Sequence, residues 1–241
     1  MKKCTKTIIV LGVLLLMTNL ISGFAATTKP EDLLQGVEHF NQSTIKFHGN
    51  KIIYFDPYKL ATEPHDADLI FITHTHSDHL SPADLAKAMK PDTTVIVTAD
   101  GEAKVKAAGI TKIITVVPDK DYQVDGVAFK TVPAYNTNKN FHLKEKGWVG
   151  YIIQLNNTRY YLAGDTDVIP EMNTFKADVA FLPVGGTYTT TATEAAQAAN
   201  IIKPAVAVPI HFGSVVGTIE DAKQFIKLLN PEIKGVILQK N

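Results

Sequence analysis

The chain has 241 residues, 24 basic and 24 acidic side chains, and a single cysteine, Cys4. This length fits one large α/β domain better than two small domains. Nucleic-acid recognition relies on clustered arginine and lysine side chains. Because Arg159 is the only arginine, we expect a small-molecule substrate and no nucleic-acid partner.

The first residues are typical of a secretory signal peptide. Three lysines within the first six residues precede an unbroken apolar run at residues 8–17, and Ala25 offers a cleavage point. The predicted signal peptide is therefore residues 1–25, followed by one domain at residues 26–241, which contains no cysteine. The apolar run is shorter than the about 20 residues that span a bilayer. We expect a periplasmic or extracellular protein without a membrane span; the alternative is an uncleaved signal that anchors the chain.

The predicted elements alternate in a way that indicates the fold class. In chain order the sequence predicts strands at 43–48, 51–55 and 69–73, a helix at 81–90, a strand at 93–98, a helix at 102–108, a strand at 113–117, a hairpin at 122–132, a second hairpin of strands 148–155 and 158–162, a strand at 178–184, a helix at 191–202, a strand at 205–210, a helix at 218–229 and a strand at 235–238. Each half begins with hairpin strands and continues with alternating strands and helices. This order predicts an α/β protein with two β-sheets packed face to face and helices outside them.

Four potential metal ligands lie within six residues directly after the strand predicted at 69–73. The segment reads His74-Thr75-His76-Ser77-Asp78-His79. Imidazole and carboxylate groups suit zinc and other borderline divalent ions. A single loop with four ligands can serve two ions, with His74 and His76 at one ion and Asp78 and His79 at another.

Two further candidates follow other predicted strands. Asp165 comes after Gly164, and His211 comes directly after the strand at 205–210. Each residue alone has an ordinary explanation, as a turn residue or as a structural histidine. Because side chains at strand ends are brought together at one edge of a sheet, we expect both residues to lie near His74. The two oxygens of Asp165 can then bridge two ions.

Together these motifs resemble those of the metallo-β-lactamase-fold metallohydrolases. The resemblance covers essentially the whole chain after the signal segment and rests on the H-x-H-x-D-H motif at residues 74–79, on Gly164-Asp165, and on His211 followed by Gly213. It implies an αββα sandwich of two mixed sheets with a one- or two-metal site at the sheet edge. Asp56-Pro57 and the compact length resemble the small branch that includes ascorbate-6-phosphate lactonase and N-acyl-phosphatidylethanolamine phospholipase D.

The resemblance also implies a role for each ligand. It implies that the first ion is bound by His74 and His76, that the second is bound by Asp78, His79 and His211, and that Asp165 bridges the two. The family supplies one more histidine to the first ion, and here Asn136 stands where that histidine is expected. Either His142 or the amide oxygen of Asn136 completes the site, and imidazole is favoured because it binds zinc better. The predicted cofactors are two divalent ions, with Zn²⁺ preferred over Mn²⁺ or Fe²⁺.

The implied activity is hydrolysis of a small-molecule lactone, ester or phosphodiester by a metal-bound hydroxide. Asp78 is the predicted catalytic residue, which orients the nucleophile or carries a proton. Asn136, Thr187 and Tyr188 are predicted to contact the substrate. Two alternatives stay open: an iron-dependent oxidoreductase of the same fold, and a non-catalytic exported protein that binds a metal or another ligand. The sequence does not indicate the oligomeric state.

Overall fold

A computed structural model describes residues 29–239 of the chain. The signal peptide predicted at residues 1–25 therefore lies outside the described residues. Within residues 29–239, no helix combines the length and apolar character that crossing a bilayer requires.

Residues 29–239 form thirteen strands and four α-helices, connected by loops and short 3₁₀ turns. The strands are β1 (Val37–His39), β2 (Ile45–Phe47), β3 (Ile53–Phe55), β4 (Ala67–Phe71), β5 (Met89–Thr98), β6 (Lys112–Val116), β7 (Asp121–Val124), β8 (Val127–Pro133), β9 (Val149–Leu155), β10 (Thr158–Leu162), β11 (Val179–Pro183), β12 (Val206–Ile210) and β13 (Lys234–Gly235). The helices are α1 (Pro82–Ala88), α2 (Glu102–Ala107), α3 (Ala192–Ile202) and α4 (Ile219–Lys227).

The strands form two mixed sheets. The first sheet has the order β1-β2-β3-β4-β5-β6, and the second has the order β13-β12-β11-β10-β9-β8-β7. In each sheet the early strands pair antiparallel as hairpins, and the later strands pair parallel. This division follows the predicted order of elements, because short turns can join antiparallel strands whereas parallel strands need a longer crossover.

Aromatic side chains fill the space between the two sheets. Phe55 and Phe71 stack with their ring centroids 4.7 Å apart, and both belong to the first sheet. Phe129 and Tyr151 of the second sheet meet Phe71 edge-on at 4.9 and 5.1 Å. These four side chains are buried, and such edge-to-face contacts suit the charge distribution of aromatic rings. The inner faces of the sheets therefore form one shared core.

The helices cover the outer faces of the sheets. Leu85 of α1 and Val105 of α2 are buried in the cluster on the first sheet, and Ala195 of α3 and Phe225 of α4 are buried in the cluster on the second. The layers are therefore helix, sheet, sheet and helix, which confirms the predicted αββα sandwich. The helix starts also match: the Ser81 side chain accepts from the Asp84 backbone N–H at α1, and a capping box begins α3.

Three details differ from the predicted elements. Strand β1 was not predicted, because it has only three residues and its edge position leaves it half covered. Helix α1 ends at Ala88 rather than residue 90, since Met89 already pairs with Ala67 in the first sheet. Strand β13 spans two residues instead of residues 235–238, because only Lys234 and Gly235 pair with β12.

The sheet directions bring several loops to one edge of the sandwich. Strands β8, β10, β11 and β12 run in the same direction through the second sheet. The loop after β4 of the first sheet joins this edge, since the Val149 backbone N–H donates to the Thr73 carbonyl at 3.1 Å. The Tyr151 hydroxyl also donates to the Ile72 carbonyl at 2.7 Å. The fold therefore places the segments after β4, β8, β10 and β12 side by side.

Candidate metal centre

Seven side chains with nitrogen or oxygen ligands meet at this edge. They form a first group (His74, His76, His142), a second group (Asp78, His79, His211) and a shared group (His74, His79, Asp165). Within each group the ligand atoms lie within 4.8 Å of one another. All seven residues predicted as metal ligands belong to these groups. The fold therefore brings together residues as far apart in the sequence as His74 and His211, which are separated by about 137 positions.

Asp165 lies at the middle of the groups. Its Oδ2 atom is 3.1 Å from His211 Nε2 and 3.3 Å from His142 Nε2, and its Oδ1 atom is 3.3 Å from His79 Nε2. The side chain is almost completely buried. One carboxylate therefore faces the first group and the second group together, as a bridging ligand would.

Several of these atoms have no hydrogen-bond partner among the described residues. They are His79 Nε2, His142 Nε2 and Asp165 Oδ1, all of which are buried. A buried polar atom without a partner is costly, and ion coordination compensates for that cost. Imidazole nitrogens combined with carboxylate oxygens suit zinc, manganese or iron. The residues therefore fit a centre for divalent ions.

Asp56 fixes the orientation of His79 through Nδ1, the ring nitrogen that faces away from Asp165. Its Oδ2 atom accepts from His79 Nδ1 at 2.8 Å and from the Thr73 hydroxyl at 2.7 Å. Its Oδ1 atom accepts from the Thr73 backbone N–H at 2.8 Å. A proton held at Nδ1 leaves Nε2 of His79 as a lone-pair donor toward the shared group. Asp56 thus selects the tautomer that can bind an ion.

Replacing Asp56 with asparagine is expected to weaken metal binding by about 10–100-fold, because loss of a carboxylate partner costs metal-binding histidines this much. The asparagine amide can also donate toward His79, which favours the wrong tautomer. Competition with a chromogenic chelator measures the affinity. Asp66→Asn is the matched control, since Asp66 accepts from Lys46 and the Tyr54 hydroxyl elsewhere on the same sheet. Equal losses in both variants would contradict the orienting role.

His142, rather than Asn136, points into the centre. The Asn136 Oδ1 atom accepts from the His142 backbone N–H at 3.0 Å and lies 3.1 Å from His142 Nδ1. The Asn136 amide nitrogen donates to Asp167 Oδ1 at 3.1 Å and to the Tyr188 carbonyl at 3.0 Å. Both polar atoms of Asn136 are thus engaged behind His142. This placement favours His142 as the ligand and Asn136 as its support, and substrate contact by Asn136 stays a prediction.

The predicted substrate residues Thr187 and Tyr188 lie on a loop beside His211. Gly185 starts this loop, and a Cβ atom there would lie 2.7 Å from the His211 carbonyl oxygen, so only glycine allows this close approach. Thr187 is exposed. The ring of Tyr188 meets that of Phe141 edge-on at 4.8 Å, and Phe141 is 47% exposed although it is large and apolar. The loop lies at the rim of the centre, and substrate contact by Thr187 and Tyr188 stays a prediction.

Gln42 also reaches the centre, although no sequence motif predicts it. Its side-chain nitrogen is 3.0 Å from His211 Nε2 and 3.3 Å from Asp78 Oδ2. A glutamine between Asn41 and Ser43 has the composition of an ordinary turn, and it precedes the histidine motif by more than 30 positions. No local pattern marks it, and only the pairing of the Gln42 segment with Phe212 brings it to the centre.

Burial favours the neutral form of His74 and His76. Burial lowers the pKa of His74 well below its ordinary value, and the neighbouring His79 lowers it further. Burial also lowers the pKa of His76, followed by the effect of His142. Neutral imidazole is the form that binds metal ions. These side chains therefore need not lose a proton before they ligate an ion near neutral pH.

Asp78, Asp165, His79 and His211 shift one another's pKa values. Burial alone would lower the pKa of His211, but the carboxylates of Asp165 and Asp78 outweigh it and raise the pKa to about 9. Burial would raise the pKa of Asp165, yet His211 and His79 hold it well below its usual range. These opposite shifts mean that a positive charge is favoured beside the two carboxylates. A divalent ion would supply such a charge.

Comparisons with known proteins agree with this geometry. A family model described as the β-lactamase superfamily domain matches residues 37–211, from β1 to the last predicted ligand. The UPF0173 metal-dependent hydrolase of Thermococcus kodakarensis is 30% identical over 217 residues, which cover 84% of this chain and 96% of that protein. A relative from Pyrococcus abyssi with the same description is 29% identical over 218 residues, with the same coverage of 84% and 96%.

A solved structure is also similar. A proposed metal-dependent hydrolase from Parabacteroides distasonis aligns with a TM-score of 0.72 and 29% identity, over 85% of this chain and 93% of that one. The branch that includes ascorbate-6-phosphate lactonase and the phospholipase stays a prediction. The family match and the relatives establish the protein family: this chain belongs to the metallo-β-lactamase superfamily, as a metal-dependent hydrolase of the UPF0173 type.

Proposed function

We propose that this protein hydrolyses a lactone, ester or phosphodiester of a small molecule with two divalent ions, preferentially zinc. The observation that carries the proposal is the position of Asp165 between the two groups. One carboxylate lies 3.3 Å from His142 of the first group and 3.1 Å from His211 of the second. This arrangement favours two adjacent ions that share a ligand.

Divalent ions held here supply Lewis acidity, which acidifies a water molecule and polarises a carbonyl or phosphoryl group. Asp78 is the partly exposed carboxylate of the centre, and its Oδ2 atom faces His79 and His211 at 3.5 and 3.6 Å. Burial would raise the pKa of Asp78, but the nearby His211 and His79 outweigh burial and hold this pKa below its usual range. A carboxylate with a low pKa is a weak base. Its role is therefore to orient the attacking water rather than to store the proton.

The surroundings of the centre favour a substrate with little negative charge at the reacting group. Lys139, a cation on the loop that carries His142, is paired with the buried carboxylate of Asp167. Tyr188 and the exposed Phe141 add aromatic surface at the rim. These features favour a lactone or an ester over a phosphodiester, because the anionic group would depend on the divalent ions alone while the rim offers aromatic surface.

The test is turnover by the purified, metal-loaded protein. Zinc, manganese and iron forms are each offered a chromogenic ester, a lactone and bis(p-nitrophenyl) phosphate. We expect hydrolysis of the ester or the lactone, its loss with a chelator and its return with added metal. Oxygen consumption by the iron form without hydrolysis would favour the oxidoreductase alternative. Metal uptake without any turnover would favour a binding protein.

We also propose that the protein is exported, with the alternative that an uncleaved signal anchors it to a membrane. The support is the basic and apolar pattern of residues 1–25. N-terminal sequencing of the protein from its native compartment is expected to begin at residue 26. A cytoplasmic protein that keeps residue 1 would contradict export.

A further inference from the structure

Gln42 is completely buried, and its side chain reaches between two residues of the second group. The Nε2 atom lies 3.0 Å from His211 Nε2 and donates to Asp78 Oδ2 at 3.3 Å. These are the atoms that Asp78 and His211 would offer to an ion. The carboxamide of Gln42 therefore lies against the ligand atoms of the second group.

Neighbouring segments hold Gln42 in this orientation. Its Oε1 atom accepts from the Val215 backbone N–H at 3.2 Å. Its carbonyl oxygen accepts from the His211 backbone N–H at 2.8 Å, and its backbone adopts a left-handed conformation with φ of 52°. Because a backbone N–H can only donate, the side-chain oxygen must face Val215. The NH₂ group is therefore the part that faces the ligands.

This orientation opposes ion binding at the second group. An amide NH₂ group donates hydrogen bonds and has no lone pair for a metal ion. An ion at Asp78 and His211 must break the contacts of Gln42 and then lie next to the positive end of its amide dipole. The first group differs, because the amide that supports it presents its oxygen to Nδ1 of His142 and leaves Nε2 without a hydrogen bond to the described residues.

We propose that Gln42 weakens the second ion site, so that the two ions bind in sequence. The first ion binds to the first group together with Asp165, and the second binds to Asp78, His79 and His211 only at a higher metal concentration. This inference rests on the proposed function, because it requires a centre that accepts two ions.

The experiment is a titration of metal-free protein with Co²⁺, followed by its visible absorption and by calorimetry. Gln42→Gly and Gln42→Asn both suit the left-handed backbone, and neither side chain reaches both ligands. In wild-type protein the second ion must displace the hydrogen bond from Gln42 to Asp78, and a hydrogen bond to a charged group corresponds to about tenfold or more in an equilibrium constant. Both variants lack this hydrogen bond, so we expect their second association constant to rise by about tenfold or more. The first constant is expected to change little.

Asn41→Gly is the matched control, because Asn41 lies next to Gln42 in the same segment. The Asn41 side chain donates to the Lys59 carbonyl rather than to any of the candidate ligands. Neither binding step is expected to change in this variant. A lower second association constant in the folded Gln42 variants would overturn the proposal and indicate that Gln42 is a ligand. An unchanged second constant would also overturn it, because Gln42 would then have no effect on metal binding. A wild-type protein that binds no cobalt would instead refute the two-ion centre itself.

Discussion

Asp165→Asn is expected to remove both ions from the centre and to reduce hydrolysis by about 10²–10⁴-fold. Asp165 is the carboxylate that faces both groups, and His79, His142 and His211 all lie within 3.3 Å of it. Removing one partner of a buried charge pair costs about 3–5 kcal/mol, and each 1.36 kcal/mol corresponds to about tenfold in rate. Asparagine keeps the size of the side chain but lacks the charge that two ions share.

Metal content and turnover are measured together for this variant, with thermal unfolding of the ion-free protein as a check of folding. Asp178→Asn is the matched control, because Asp178 precedes β11 at the opposite end of the same sheet and pairs with the only arginine, Arg159. This control is expected to keep two ions and nearly full activity. An Asp165→Asn protein that keeps both ions would contradict the bridging role.

The sequence was sufficient to predict the architecture because local patterns and strand order agree. The alternation of hairpins and crossovers predicted two mixed sheets, and the capping residues Ser81 and Thr191 begin α1 and α3 in the structure. The His74 motif, Asp165 and His211 could be connected before the structure was known, because each follows a buried strand. Parallel pairing places the ends of β10 and β12 at one edge of the second sheet, and the face-to-face packing of the two sheets brings the loop after β4 to the same edge.

The supporting residues could not be predicted, since their roles depend on long-range packing. Gln42 lies on a short connection after β1, and pairing with Phe212 carries it to the second group. In the sequence Asp56 indicates only a resemblance to the small branch, whereas its contact with His79 follows from the parallel pairing of β3 and β4. The closed loop between Asn136 and His142 decides which of the two side chains faces the metal centre.

His142→Ala is expected to remove one ion and to leave the other in place. His142 belongs to the first group alone, and its Nε2 atom is directed to Asp165. Asn136→Ala is expected to keep both ions but to weaken the first by about 10–100-fold, because it removes the partner that orients a metal-binding histidine. The number of bound ions separates the two roles, since a ligand changes the number and a supporting residue changes the affinity.

Ion content after dialysis and the affinity from chelator competition are measured for both variants. Asn138→Ala makes the same change on the same loop at an exposed position, and it is expected to alter neither quantity. Loss of an ion in Asn136→Ala, with two ions kept in His142→Ala, would exchange the two roles. That result would require the loop from residue 136 to residue 142 to adopt another conformation, because the Asn136 side-chain oxygen accepts a hydrogen bond from the His142 backbone N–H at 3.0 Å. The loop closure that distinguishes this chain from the usual family motif is thus tested by the same two substitutions.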